Sequence, residues 1–102
     1  MTQKSKHVPC ALCMNMLGTP SRLNIYKLIK VDGENNVTEV VKAVGLSQPT
    51  VSYHLKQMQK SGLIVSRRDG KEVFYKINEV CPSRNIDCVI SQIDFPADES
   101  ND

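Results

Sequence analysis

Apolar residues recur along the chain in short helical and strand-like groups, punctuated by glycine and proline. Pro9 suits the first turn of a helix running to about Leu17, where its missing N–H costs nothing. Val8, Ala11, Leu12, Met14, Met16 and Leu17 make that helix apolar nearly all round. A helix of that kind has to be covered on several sides, for example in a dimer. Gly18 stops it, Thr19 is expected to cap the next helix, and Pro20 takes its first position. Leu23, Ile25, Tyr26, Leu28 and Ile29 carry an apolar face to about Lys30, and DGENN at 32–36 reads as a turn.

Thr38 is expected to cap a short helix with Val40, Val41 and Val44 inward, ended by Gly45. Ser47 then caps a helix with Pro49 in its first turn. Val51, Leu55 and Met58 fall at i, i+4 and i+7, one buried stripe of a helix ending at Gly62. Two helices joined by a short glycine-containing turn form a helix-turn-helix. Residues 63–66 and 73–77 read as strands, with Asp69-Gly70 as the hairpin signal and Val73, Tyr75 and Ile77 alternating onto one face. After Pro82 a last helix is expected, with Ile86, Val89, Ile90 and Ile93 as its apolar stripe. The fold class is therefore mainly α with a small β-hairpin, a winged helix-turn-helix, and dimeric.

With 102 residues the chain is one small domain, expected over 8–95 between a flexible N-terminus, 1–7, and an acidic flexible tail, 96–102. The formal net charge of +2 hides an asymmetry: residues 1–78 carry 12 Lys/Arg against 5 Asp/Glu, whereas 79–102 carry Arg84 against six acids. A basic body suits a polyanion, double-stranded DNA first. No run of 18 apolar residues predicts a membrane span, and the N-terminal apolar stretch is broken by Asn15 and lacks a small-residue cleavage site. A cytoplasmic protein is expected. The absence of Trp, with aromatics at 5%, argues against base stacking as a main resource.

The face of helix 48–61 that the core does not need offers Gln48, Thr50, Ser52, Tyr53, Lys56, Gln57 and Lys60, and no acid occurs between Gln48 and Arg68. The first residues of a recognition helix meet base edges in the major groove. Gln pairs with adenine, Ser and Thr bond several edges, and lysines bind phosphate. The bland alternative is a plain soluble face. His54, beside the Val51/Leu55 stripe, reads equally as a DNA contact or a half-buried packing residue. At the hairpin tip Arg67, Arg68 and Lys71 suit the minor groove or backbone, the alternative being a charged edge that resists aggregation. No catalytic triad, paired carboxylate site or phosphate-binding glycine loop is evident, so an enzyme is not expected.

TPSRLNIYKLI, LSQPTVSYHLKQMQKSGLI and RRDGKEVFYKI together resemble the ArsR–SmtB family of winged-helix repressors, over about residues 8–80. The resemblance implies a homodimer, built on the first and last helices, that binds operator DNA and releases it when a metal or other inducer binds. The family's arsenic-sensing cysteines would align around Asn36, Thr38 and Val41, none of them a thiol. A second family site on the last helix would fall near Glu79, Cys81, Gln92 and Phe95, and Phe95 cannot ligate metal.

What remains is Cys10, Cys13, Cys81 and Cys88. Cys10 and Cys13 share a helical turn. Cys81 and Cys88, if both helical, lie about 10 Å apart along the axis, too far for one ion unless Cys81 sits in the bend before Pro82. In a helical projection Cys88 lies opposite Ile86, Ile90 and Ile93, away from the core. Packing of the first helix on the last would bring the four thiols together, a set suited to Zn(II) or another thiophilic metal. The expected function is a sequence-specific DNA-binding repressor released by a thiophilic metal or by thiol modification. The alternatives are a constitutive DNA-binding protein with structural zinc or inert cysteines, and a CxxC redox protein, for which no βαβ context exists.

Overall fold

The computed structural model describes residues 10–80, 88 and 90–93. In chain order these form α1 (Cys10–Met16), α2 (Pro20–Asp32), β1 (Asn35–Asn36), α3 (Val37–Val44), α4 (Gln48–Ser61), β2 (Ile64–Asp69), β3 (Glu72–Ile77) and a short 3-10 helix, Ile90–Gln92. The winged helix-turn-helix is thus the observed fold. The expected flexible ends, 1–7 and 96–102, lie outside the described residues, as does most of the expected last helix. Its described part at Ile90–Gln92 winds as a 3-10 turn instead of an α-helix.

The periodic apolar positions meet in one core. Ile25, Tyr26 and Ile29 of α2, Val40 of α3, and Val51, Leu55 and Met58 of α4 are wholly shielded, and Leu63, Ile64 and Ile77 close the sheet side. Each such aliphatic side chain contributes about 1.5–3 kcal/mol by leaving water. α1 behaves differently. Leu17 is buried and Met16 packs partly on the core, but Leu12 is 46% and Met14 51% exposed. Among the described residues, the helix that is apolar nearly all round therefore keeps Leu12 and Met14 partly uncovered. No helix among the described residues is long and apolar enough to cross a membrane.

Thr19 is the N-cap of α2 as expected: its carbonyl accepts the first helical bond, from the Leu23 N–H at 3.0 Å, although its side chain makes no capping bond. A second expected cap differs. α3 is capped by Asn36, not Thr38. The Asn36 side chain accepts from the Glu39 N–H at 2.9 Å, and the Glu39 carboxylate accepts from the Asn36 N–H at 3.0 Å. This reciprocal box satisfies two N–H groups, where a cap at Thr38 would satisfy one. Ser47 caps α4 as expected, accepting from the Thr50 N–H at 3.3 Å.

The turn expected at 32–36 ends in a strand. Gly33 takes a φ of 90°, and Asn35–Asn36 then pair with Tyr75 and Phe74 of β3, giving an antiparallel sheet in the order β1-β3-β2. The hairpin strands run further toward the tip than expected, to the Asp69–Glu72 pair, with Gly70 at φ 66° in the turn.

Candidate nucleic-acid interface

α4 divides cleanly. Its inner stripe is buried, while Gln48, Thr50, Tyr53, Lys56 and Lys60 are exposed and Ser52, His54 and Gln57 half-buried. Tyr53, 56% exposed, projects a large ring beside the His54 imidazole, centroids 5.9 Å apart. The Thr50 hydroxyl is partly committed, since the Ser47 Oγ–H donates to it at 2.9 Å. Gln48 and Ser52 make no hydrogen bond through their side chains among the described residues, which suits them to meet base edges.

His54 is held from behind. Arg22 of α2 donates from Nε to His54 Nδ1 at 3.2 Å, and its NH1 group reaches the Met16 carbonyl at the end of α1 at 3.5 Å. Burial, and then the Arg22 charge, keep the imidazole below its ordinary pKa, so it favours the neutral form. The sequence offered two readings of His54, packing or DNA contact. The structure supplies the packing side with a named partner, which spacing alone did not reveal.

The wing carries its three cations differently. Arg67 is engaged within the protein: its Nε and NH2 groups donate to the two Glu34 carboxylate oxygens at 2.7 and 3.0 Å, and its guanidinium lies 4.9 Å from the Phe74 ring centre. Each partner of the pair stabilises the other's charge, raising the Arg67 pKa and lowering that of Glu34. Arg67 was expected on DNA; in the free protein it braces β2 against the chain entering β1. Arg68 and Lys71 are exposed and form no ion pair among the described residues. Two further ties were not foreseen. Asn36 Nδ2 donates to Glu72 at 2.8 Å, and Gln59 Nε2 donates to the Ser66 hydroxyl at 3.1 Å. They fix the wing to the N-terminus of α3 and to the end of α4.

The thiols are partly described. Cys81 and the side chain of Cys10 lie outside the described residues. Cys13 is partly buried, and its thiol donates weakly to the Ser61 carbonyl at 3.5 Å, on the last residue of α4. Cys88 is partly buried and packs on the core, contrary to the helical projection that set it apart. Its N–H donates to the Glu79 carbonyl at 2.8 Å. Both thiols act on the phenol of Tyr26: burial first, then Cys88, Cys13 and Glu79, push its pKa well up. No group of three or more His, Cys, Asp or Glu able to hold a metal occurs among the described residues.

Residues 19–66, from the N-cap of α2 into β2, match the family described as bacterial regulatory protein, arsR family. An uncharacterized HTH-type transcriptional regulator of Methanocaldococcus jannaschii is 33% identical over 72 residues, covering 71% of this chain and 81% of that protein. The arsenical resistance operon repressor of Escherichia coli is 35% identical over 68 residues, 67% of this chain and 58% of that one. This chain therefore spans less than two thirds of the E. coli protein. Among solved structures, the homodimeric winged helix-turn-helix DNA-binding domain from Mycobacterium bovis superposes with a TM-score of 0.63 at 30% identity, over 68% of this chain and 63% of that one. On its fold, its α4 and these relatives, the chain belongs to the ArsR family of DNA-binding transcriptional regulators.

Proposed function

We propose that the protein is a cytoplasmic, homodimeric repressor that reads operator DNA with α4 and grips it with the wing. The observation that carries this is the outer face of α4: amides, hydroxyls and lysines with no carboxylate, followed by Arg68 and Lys71 on the wing. Gln48 and Ser52 are assigned to base edges, Thr50 and Tyr53 to the rim of the groove, and Lys56, Arg68 and Lys71 to phosphates. The name of the E. coli relative supports repression, and the dimeric M. bovis domain supports two-fold reading.

Release is assigned to the thiols. Thiolates suit Zn(II), As(III) and similar soft ions. Cys13 of α1 and Cys88 of the C-terminal segment both pack on the core, and Cys13 also touches the last carbonyl of α4. A metal drawing these thiols together, with Cys10 and Cys81 as further donors, would pull on the end of the recognition helix. A second reading, in which the thiols are structural, is supported by the packing of Cys13 and Cys88 on the core.

Binding to the duplex upstream of the protein's own gene, against random duplex, tests the DNA assignment. K56A should weaken both and lower the salt slope by about one. Q48A or S52A should cost about 1–3 kcal/mol on the upstream duplex and little on random DNA. Equal losses on both duplexes for all three variants would remove α4 as the base-reading helix.

A further inference from the structure

Arg22 lies in the first turn of α2, yet its guanidinium ends against the recognition helix. Nε is 3.2 Å from His54 Nδ1 and NH1 is 3.5 Å from the Met16 carbonyl. A guanidinium has only donors. The atom it meets on the imidazole must therefore offer a lone pair, and a neutral ring with a lone pair on Nδ1 carries its proton on Nε2. Nε2 has no hydrogen-bond partner among the described residues. His54 is half-buried, next to the exposed Tyr53, at the margin of the outward face of α4.

The consequence is polarity. A hydroxyl on this face turns to donate or accept, and a glutamine amide turns over; an imidazole with Nδ1 tied does neither. Taking α4 as the DNA-reading helix, as proposed above, we infer that Arg22 is a positioning residue for recognition: it commits His54 to a donor-only Nε2–H aimed at an acceptor on the duplex. Acceptors of that chemistry are a phosphate oxygen, guanine O6 or N7, and thymine O4. Protonation of Nδ1 would set two N–H groups against each other beside a fixed cation, which agrees with the lowered pKa of this histidine. Arg22 also joins three elements, the end of α1, the start of α2 and the middle of α4, so the tautomer is fixed by the tertiary fold and not by α4 alone.

The test separates the tautomer from DNA binding. In the free dimer, long-range 15N–1H spectra at neutral pH should show His54 with Nδ1 bare and Nε2 protonated; His7→Gln assigns the signal, since the chain has two histidines. Arg22→Gln keeps a donor at the same atom position without the charge, and Arg22→Met keeps the length without a donor. R22Q should retain the tautomer and bind a duplex selected by the wild-type protein from random-sequence DNA within about twofold of wild type. R22M should show mixed tautomers and bind about fivefold more weakly. A loss confined to the selected duplex identifies a base acceptor; an equal loss on random duplex identifies phosphate. A proton on Nδ1 in the wild-type spectrum overturns the inference even if R22M fails to fold. So does an R22Q protein that keeps the tautomer but loses affinity as R22M does. A correct tautomer with no effect of R22M on any duplex would overturn the role of His54 while leaving α4 to be judged by Gln48 and Ser52.

Discussion

On paper α4 is amphipathic and α1 apolar nearly all round, and the described residues fully cover the apolar surface of only one of them, α4. The stripe of α4 disappears into the core at Val51, Leu55 and Met58, leaving a polar face outside. α1 buries Leu17 at its end and leaves Leu12 and Met14 half in water. α4 is therefore fixed among the described residues, whereas these leave α1 partly uncovered; on our proposal a second copy of the chain completes it. On our proposal, reading and control fall on different helices, joined by the Cys13–Ser61 and Arg22–His54 contacts.

Truncation should expose the contrast most strongly in stability. Leu55→Ala removes a fully buried side chain and should cost about 2–5 kcal/mol in thermal or denaturant unfolding. Met14→Ala should leave single-chain stability within about 0.5 kcal/mol. A comparable loss at Met14 would mean that α1 is already completed within one chain.

Association comes next. Leu12→Glu with Met14→Glu should reduce the mass by light scattering from about twice 11.4 kDa to one chain, with the helical circular dichroism retained. A wild-type chain that is monomeric at every concentration would leave α1 unexplained.

The wing supplies a smaller, sharper contrast between neighbours. Arg68→Ala should lower the salt slope of DNA binding by about one, as a phosphate contact requires. Arg67→Ala should change that slope less and instead loosen the wing, since it removes the exposed ion pair with Glu34. Equal slopes for the two variants would put Arg67 back on the phosphates.

The smallest effect is acidic. Arg67 holds the Glu34 carboxyl below the usual carboxylate range. The folded chain thus binds that proton less readily than the unfolded chain. The pair's contribution is present above the ordinary glutamate range and is lost as pH falls through the lowered folded value. Glu34→Gln should lower stability slightly at neutral pH and flatten the acid limb, with variant and wild type converging below the lowered carboxylate value.

These contrasts also mark what the sequence made legible. α4 and the hairpin were readable because their signals are local: a Ser cap, an i, i+4, i+7 stripe and an Asp-Gly turn. Asn36 was obscured by its surroundings, for the Asn-x-x-Glu box stood inside a stretch that also reads as a turn. β1 was invisible because two asparagines have no strand preference; they pair only because β3 offers an edge. The role of Arg67 depends on Glu34, 33 residues away, and that of His54 on Arg22, 32 residues away. No periodicity encodes such distances. Cys88 was misread because the projection assumed an unbroken helix where the described backbone makes a 3-10 turn.

The central claim is that the thiols at α1 and the C-terminal segment govern what α4 does. The direct measurement is binding of reduced protein to the upstream duplex, with and without zinc or arsenite, for wild type and for the chain with Cys10, Cys13, Cys81 and Cys88 all changed to Ser. The account predicts that wild type binds in the metal-free state and loses about 5–150-fold in affinity with metal, while the fourfold variant binds as tightly and does not respond. A fourfold variant that still responds, or a wild type indifferent to both ions, would contradict it.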